Sequence, residues 1–427
     1  MSVIILFAVF LILAMLSVPI AVAIAVAVTA SIASSDIISL SYFVRAMANS
    51  PNSFLLTSVP FYCLGGVIMS KAGISSGLFE VAKVWVGRVR GGVLMVTVIS
   101  CMAFGAISGS VYATVVAIGL IALPELHKAG MSKGAAGALI ATAGCCGTMI
   151  PPSMALIVFG SINNLSVSEL FIASVLPGIL VSSCFLVYSY LYGKKHNIYS
   201  ETGYSFKEKF TVLVKNIPAL LMPVIILGGI YSGVFTPTEA AVVAAVYGLF
   251  YGFCKKRGRM KLQDLPPMFK SACITTATIM FVLAVSTGFG RILALEELPT
   301  KMATFFVSHV SSKWMILLIL NLLVLFLGTF LDGAAINVIL SPILLGVAVQ
   351  YGINPLHFAV MFSINACVGL LTPPLGANLF VAAQISRTPI DDIIRNIWPW
   401  IISMLIGLLL VVALPGLSTF LPGIMTH

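Results

Sequence analysis

The sequence predicts an all-α polytopic membrane protein made of two inverted structural repeats, each with a re-entrant helical hairpin and a broken transmembrane helix. Three observations carry that prediction. The first is composition: 60% of the residues are hydrophobic and 8% are charged, against about 25% charged in a soluble domain. The second is a motif that occurs twice, 222 residues apart, as Gly147-Thr-Met-Ile-Pro151-Pro152-Ser153 and Gly369-Leu-Leu-Thr-Pro373-Pro374-Leu375. In the same register Gly130 pairs with Gly352, Cys145 with Cys367, Ala155 with Ala377, Glu169 with Asp391 and Pro177 with Pro399. Proline is 21 of 427 residues, so three matched prolines in one ungapped register point to a duplication. The third is that a pair of short apolar segments, joined by a glycine-bearing polar turn, precedes each Pro-Pro.

The order of elements follows from the charges. Basic residues cluster from Lys71 to Arg90, from Lys194 to Lys215 and over 255–261, as the positive-inside rule predicts for cytoplasmic loops. The net charge of +10 is thus a topology signal, and no nucleic-acid partner is expected. With those loops inside, residues 3–33 are expected to be one outward span kept in the mature protein, with a cytoplasmic N-terminus. Residues 54–70 return to Lys71, and 73–90 read as an amphipathic helix along the interface. Segments 92–104 and 111–123, both with basic residues at their outer ends, form the first hairpin around Gly105–Ser110. Residues 134–162 pass outward with a break at 147–153, and 170–193 return to Lys194.

The second half repeats this order upside down, because one connecting span, 216–234, intervenes. Residues 239–254 run inward and 271–291 outward, and an amphipathic stretch follows at 299–311. Segments 313–328 and 335–349 form the second hairpin around Gly328–Gly333. Broken helix 356–385 runs inward and 393–413 outward, leaving the C-terminus periplasmic. The loop 194–215 reads as a plain connector. The organisation expected is therefore 1–91, 92–193 (first hairpin and break), 194–270 (connecting span), 271–392 (second hairpin and break) and 393–427.

Irregular backbone at membrane depth survives only where protein or a water-filled cavity satisfies its polar groups. Each Pro-Pro removes two amide donors and frees carbonyls one turn earlier. Free carbonyls at helix ends, with hydroxyls, suit a hard monovalent cation such as Na⁺. The first cation site is therefore assigned to Gly105 and Ser108 with Gly147 and Ile150, and the second to Asp332 with Gly369 and Thr372. Asp332 is the sole ionisable residue between Trp314 and Val349, and an intramembrane carboxylate is a functional candidate by default. Arg291, after Gly288-Phe-Gly290, can pair bidentately with a carboxylate or simply snorkel to the interface. Ser108, Ser153, Arg291 and Asp332 are the candidate substrate contacts.

Other chemistries find no support in the residue pattern. The eight cysteines lie in apolar stretches without a Cys-x-x-Cys and read as small packing residues. The five histidines are scattered, and no Walker loop or catalytic triad appears, so no enzymatic activity is expected. Glu169, Glu239 and Asp391 stand at helix starts, where a carboxylate suits the positive end of the dipole.

Together Phe104-Gly-Ala-Ile-Ser-Gly-Ser110, Gly147-Thr-Met-Ile-Pro-Pro-Ser153, Gly328-Thr-Phe-Leu-Asp332-Gly333 and Leu371-Thr-Pro-Pro-Leu-Gly376 are similar to the large membrane (M) subunit of the TRAP transporters. These tripartite ATP-independent periplasmic transporters belong to a wider ion-transporter superfamily. The resemblance covers nearly the whole chain. It implies an elevator mechanism, in which hairpins and broken helices form a mobile transport domain and arm helices and peripheral spans a scaffold. It also implies Na⁺ coupling, a small membrane (Q) subunit of about four helices and a periplasmic substrate-binding protein, all in a bacterial inner membrane. Family substrates are organic acids. A single candidate arginine favours sialic acid, with a C4-dicarboxylate next. A stand-alone carboxylate or ion transporter of the same superfamily is the alternative.

Overall fold

The computed structural model describes residues 2–16, 18–35, 38–52, 56–199, 203–254, 260–331, 333–373 and 376–425. Every regular element among them is helical. The chain opens with α1 (Ser2–Met15) and α2 (Ile20–Ala33). Pro19 caps α2 without an amide hydrogen of its own, so the apolar run does not continue as one rod. The two helices fold back on each other: the Ser31 hydroxyl donates to the Ser2 carbonyl at 3.0 Å, and Leu6 and Phe10 are buried alongside Ala23, Ile24, Ala27 and Val28. Each helix is 14 residues, or about 21 Å, short of the ~30 Å hydrocarbon core. The expected single span over 3–33 is therefore a helical hairpin.

Next come α3 (Leu40–Asn49), which the sequence pattern did not announce, α4 (Ser58–Ala72) and the amphipathic α5 (Ile74–Val86). The first re-entrant hairpin is α6 (Gly92–Ser108) and α7 (Val111–Lys128), packed together. Its arms run several residues longer than the expected half-helices. The first broken helix is α8 (Lys133–Gly144) with the short α9 (Cys146–Met149), then α10 (Met154–Asn163) bent by 44°. Helix α11 (Val167–Lys195) returns, carrying Pro177 inside it.

The loop expected to be a plain connector contains α12 (Phe206–Lys215), started by a capping box of Ser205 and Glu208. That pairing satisfies two otherwise orphaned helix-start amides. Helices α13 (Ile217–Tyr231), α14 (Pro237–Cys254) and the 31-residue α15 (Leu265–Leu295) follow, then the arm α16 (Leu298–His309). The second hairpin is α17 (Lys313–Gly328) and α18 (Gly333–Gln350). The second broken helix is α19 (Pro355–Leu371) with α20 (Ala377–Ser386). The chain ends in α21 (Ile390–Ala413), holding Pro399 as α11 holds Pro177, and an additional α22 (Gly416–Met425). Among the described residues, six helices are long and apolar enough to cross a membrane, or up to eight counting each bent pair as one. Cys254 and Cys273 are exposed, unlike the buried cysteines the composition suggested.

Two contacts orient the ends. The Ser2 hydroxyl donates to Glu296, just beyond the last residue of α15, whereas Lys71 pairs with Asp264 at 3.0 Å just before its first. A helix of that length spans about 46 Å. The chain start therefore lies at the opposite end of the molecule from Lys71.

Candidate functional site

The two breaks meet at the centre. Cys145 and Cys367 are equivalent positions of the repeat, and the Cys145 thiol lies 3.9 Å from the Cys367 carbonyl, with Thr148 Oγ1 3.0 Å from Cys367 Sγ. Equivalent residues touch only where they sit beside a twofold axis relating the copies. The duplicated motif is thus also a duplicated place.

In the first copy the carbonyls of Gly147 and Thr148 would accept helical bonds from residues 151 and 152, both prolines, and so lose those donors. The tip of the first hairpin abuts this break. The Met154 amide donates to the Gly109 carbonyl at 3.0 Å, tying the tip to the start of α10. Glycine is required at the approach: a Cβ on Gly147 would fall 2.4 Å from Thr114 Oγ1 and 2.6 Å from the Ser110 carbonyl. Ser108 is fully buried, its hydroxyl 3.1 Å from that of Thr114. Ser153 is also fully buried, and its hydroxyl caps α10 by accepting from the Leu156 amide at 3.4 Å. Gly105 packs against Cys146 and Gly147, and Ile150 is nearly buried. The structure thus gathers Gly105, Ser108, Gly147, Ile150 and Ser153 in one place.

The second copy repeats the approach of backbones. A Cβ on Gly369 would lie 2.6 Å from Gly328 Cα, as one on Gly105 would lie 2.8 Å from Gly147 Cα. The Thr372 amide donates to the Gly369 carbonyl at 3.0 Å, and its hydroxyl donates to Val368 at 2.8 Å. Asp332, Pro374 and Leu375 lie outside the described residues, so the assignment of Asp332 rests on sequence. Arg291 is set apart. It is exposed, and its guanidinium stands over the Tyr42 ring of α3 at 5.9 Å.

Sequence reasoning missed the amides of the second half. Asn365 donates to the Asn321 carbonyl at 2.7 Å and side-chain oxygen at 2.9 Å, joining α19 to α17. Asn378, at the start of α20, donates to the Ala141 carbonyl of α8. Asn163 donates to Ser341 of α18 at 2.8 Å, while Asn164 makes the turn with φ 54°. The available signal was an asparagine inside an apolar helix, which needs a buried partner.

An inverted repeat whose broken helices meet, each against a re-entrant hairpin, defines a membrane transporter. Residues 6–417 match the family described as "Tripartite ATP-independent periplasmic transporter, DctM component". The chain is 36% identical over 384 residues to the C4-dicarboxylate TRAP transporter large permease protein DctM of Pseudomonas aeruginosa, covering 89% of this chain and 90% of that one. It is 35% identical over 383 residues to the sialic acid TRAP transporter large permease protein SiaM of Vibrio cholerae, covering 90% of each. The isethionate TRAP transporter permease protein DctMQ of Oleidesulfovibrio alaskensis is 36% identical over 420 residues, 98% of this chain but 66% of that relative's length. Among solved structures, the YdaH transporter of Alcanivorax borkumensis, described as having an unusual topology, superposes with a TM-score of 0.60 over 88% of this chain and 89% of that one at 16% identity. That likeness concerns the fold alone. The chain belongs to the DctM component family, the large membrane subunits of TRAP transporters, which are transport permeases and not enzymes.

Proposed function

We propose that this chain carries an organic acid across the bacterial inner membrane by Na⁺-coupled symport, with its hairpins and broken helices moving as an elevator against the arm helices and peripheral spans. The observation that carries this reading is the buried meeting of each hairpin with a proline-broken helix, where carbonyls lack helical donors. One Na⁺ is assigned to Gly105, Ser108, Gly147 and Ile150. A second is assigned to Asp332, Gly369 and Thr372. Relatives named for sialic acid and for C4-dicarboxylates support an organic acid as cargo, and sialic acid remains the favoured one.

Ser108, Ser153 and Asp332 are proposed on the hairpin side of the substrate. Arg291, with no carboxylate paired to it among the described residues, is the proposed carboxylate partner on the scaffold side. The small Q subunit and a periplasmic binding protein complete the system. The part of the DctMQ relative beyond the match supports a second membrane component. One span over 3–33 predicts a cytoplasmic N-terminus. That stretch is a hairpin and the chain start lies at the end opposite Lys71, so on the same positive-inside argument we propose a periplasmic N-terminus, with the C-terminus also periplasmic.

Energetics permit accumulation. Two Na⁺ entering down a tenfold gradient and 100 mV contribute about 1.4 and 2.3 kcal/mol each. Entry of a monovalent anion opposes this by about 2.3 kcal/mol, leaving roughly 5 kcal/mol, or a thousandfold accumulation or more. The test is uptake of radiolabelled sialic acid and succinate into proteoliposomes under a Na⁺ gradient, adding small subunit and binding protein in turn. Uptake only with Na⁺ and both partners is expected. Uptake by the chain alone would favour a stand-alone transporter, and uptake indifferent to Na⁺ would remove the coupling.

A further inference from the structure

The two hairpins share a bond that the sequence register conceals. At the first, the Thr114 hydroxyl donates to the Ser110 carbonyl at 2.8 Å. At the second, the Asn337 amide donates to the Gly333 carbonyl, also at 2.8 Å. Both donors sit one turn into the hairpin's second helix and reach back four residues to its tip. Aligning the hairpins on Gly105 and Gly328, the glycines that press on the breaks, makes Thr114 and Asn337 equivalent, one residue off the offset that aligns the breaks.

Their remaining lone pairs differ. Thr114 is fully buried and its oxygen is shared with the Ser108 hydroxyl, 3.1 Å away, against Gly147. Asn337 is 1% exposed, and its Oδ1 has no hydrogen-bond donor among the described residues. Buried amide oxygens are rarely left so. Because Nδ2 is committed to the tip carbonyl, the amide is held in one orientation at the start of α18, five residues along the chain from Asp332. A neutral carbonyl-type oxygen is a good ligand for a hard cation.

We infer that Thr114 and Asn337 are matched ligand-bearing positions of the two cation sites, and that Asn337 supplies the second site with an amide oxygen that has no counterpart in the first. The inference rests on the Na⁺ reading above. The two sites are then chemically unequal, and the second holds its ion more tightly and fills first.

The test is thermal unfolding of the full chain with its small subunit, titrated with Na⁺ against choline at constant ionic strength, together with the Na⁺ dependence of uptake. If wild type gains no stability from Na⁺ over choline, the Na⁺ reading itself fails. If wild type responds, Asn337→Ala is expected to raise the Na⁺ midpoint at least about tenfold. Asn337→Asp, which keeps an oxygen there, is expected to bind Na⁺ at least as tightly as wild type. An unmoved midpoint in Asn337→Ala, or an equal weakening in Asn337→Asp, would overturn the inference while leaving Na⁺ coupling standing. Should Asn337→Ala not fold, the aspartate variant decides alone.

Discussion

The first hairpin and break are held by hydroxyls and a backbone bond, the second by asparagine amides. At the first, Met154 donates to Gly109 and Ser108 faces Thr114. At the second, Asn365 ties to Asn321, Asn378 to Ala141 and Asn337 to Gly333. What both copies keep is the close approach of backbone to backbone, Gly105 on Gly147 and Gly328 on Gly369. Duplication has preserved the geometry that exposes carbonyls and let the side chains around it diverge. On the Na⁺ reading proposed above, the two ion sites would share one shape and differ in chemistry.

That comparison can be broken most severely at what the halves share. Gly147→Val and Gly369→Val each push a side chain into backbone or side-chain atoms closer than 3 Å, at a cost of about 1–3 kcal/mol. Each is expected to reduce proteoliposome uptake to background, and a variant that transports normally would show that the breaks need no close hairpin. Asp332→Asn is expected to lower Na⁺-driven uptake about 100-fold, near the cost of losing an ionic ligand in a buried site, without altering subunit association in a pull-down. Normal uptake would remove Asp332 from the mechanism. The smallest effect is expected at Arg291, outside both halves' ion sites. Arg291→Ala is expected to raise the substrate KM about tenfold and leave the Na⁺ midpoint alone. Equal shifts in both would assign it a structural role against Tyr42.

The repeat was legible because proline and glycine act through backbone geometry, which survives without a particular neighbour. Gly147, Pro151 and Pro152 announced the break. The N-terminal hairpin was not legible in that way. Residues 3–33 are long and uniformly apolar, and one proline at position 19 is equally compatible with a kinked span; the fold-back is decided by packing of Phe7 and Phe10 on Phe289 of α15. The amide network also escaped, because Asn365 and Asn378 find Asn321 and Ala141 only when distant helices meet. Arg291 illustrates the same limit: its distance along the chain from the glycines before it says nothing of Tyr42, which faces it from α3.

The inversion of the two hairpins is the claim on which the ion sites, the meeting of the breaks and the transport cycle all depend. Single cysteines at Lys128, the foot of the first hairpin, and at Lys313, the foot of the second, test it in a background with exposed Cys254 and Cys273 changed to serine. A membrane-impermeant thiol reagent applied to intact cells is expected to label Lys313→Cys and to reach Lys128→Cys only after the membrane is opened. Labelling of both from the outside, or of neither until lysis, would put the hairpins on one side and contradict the account.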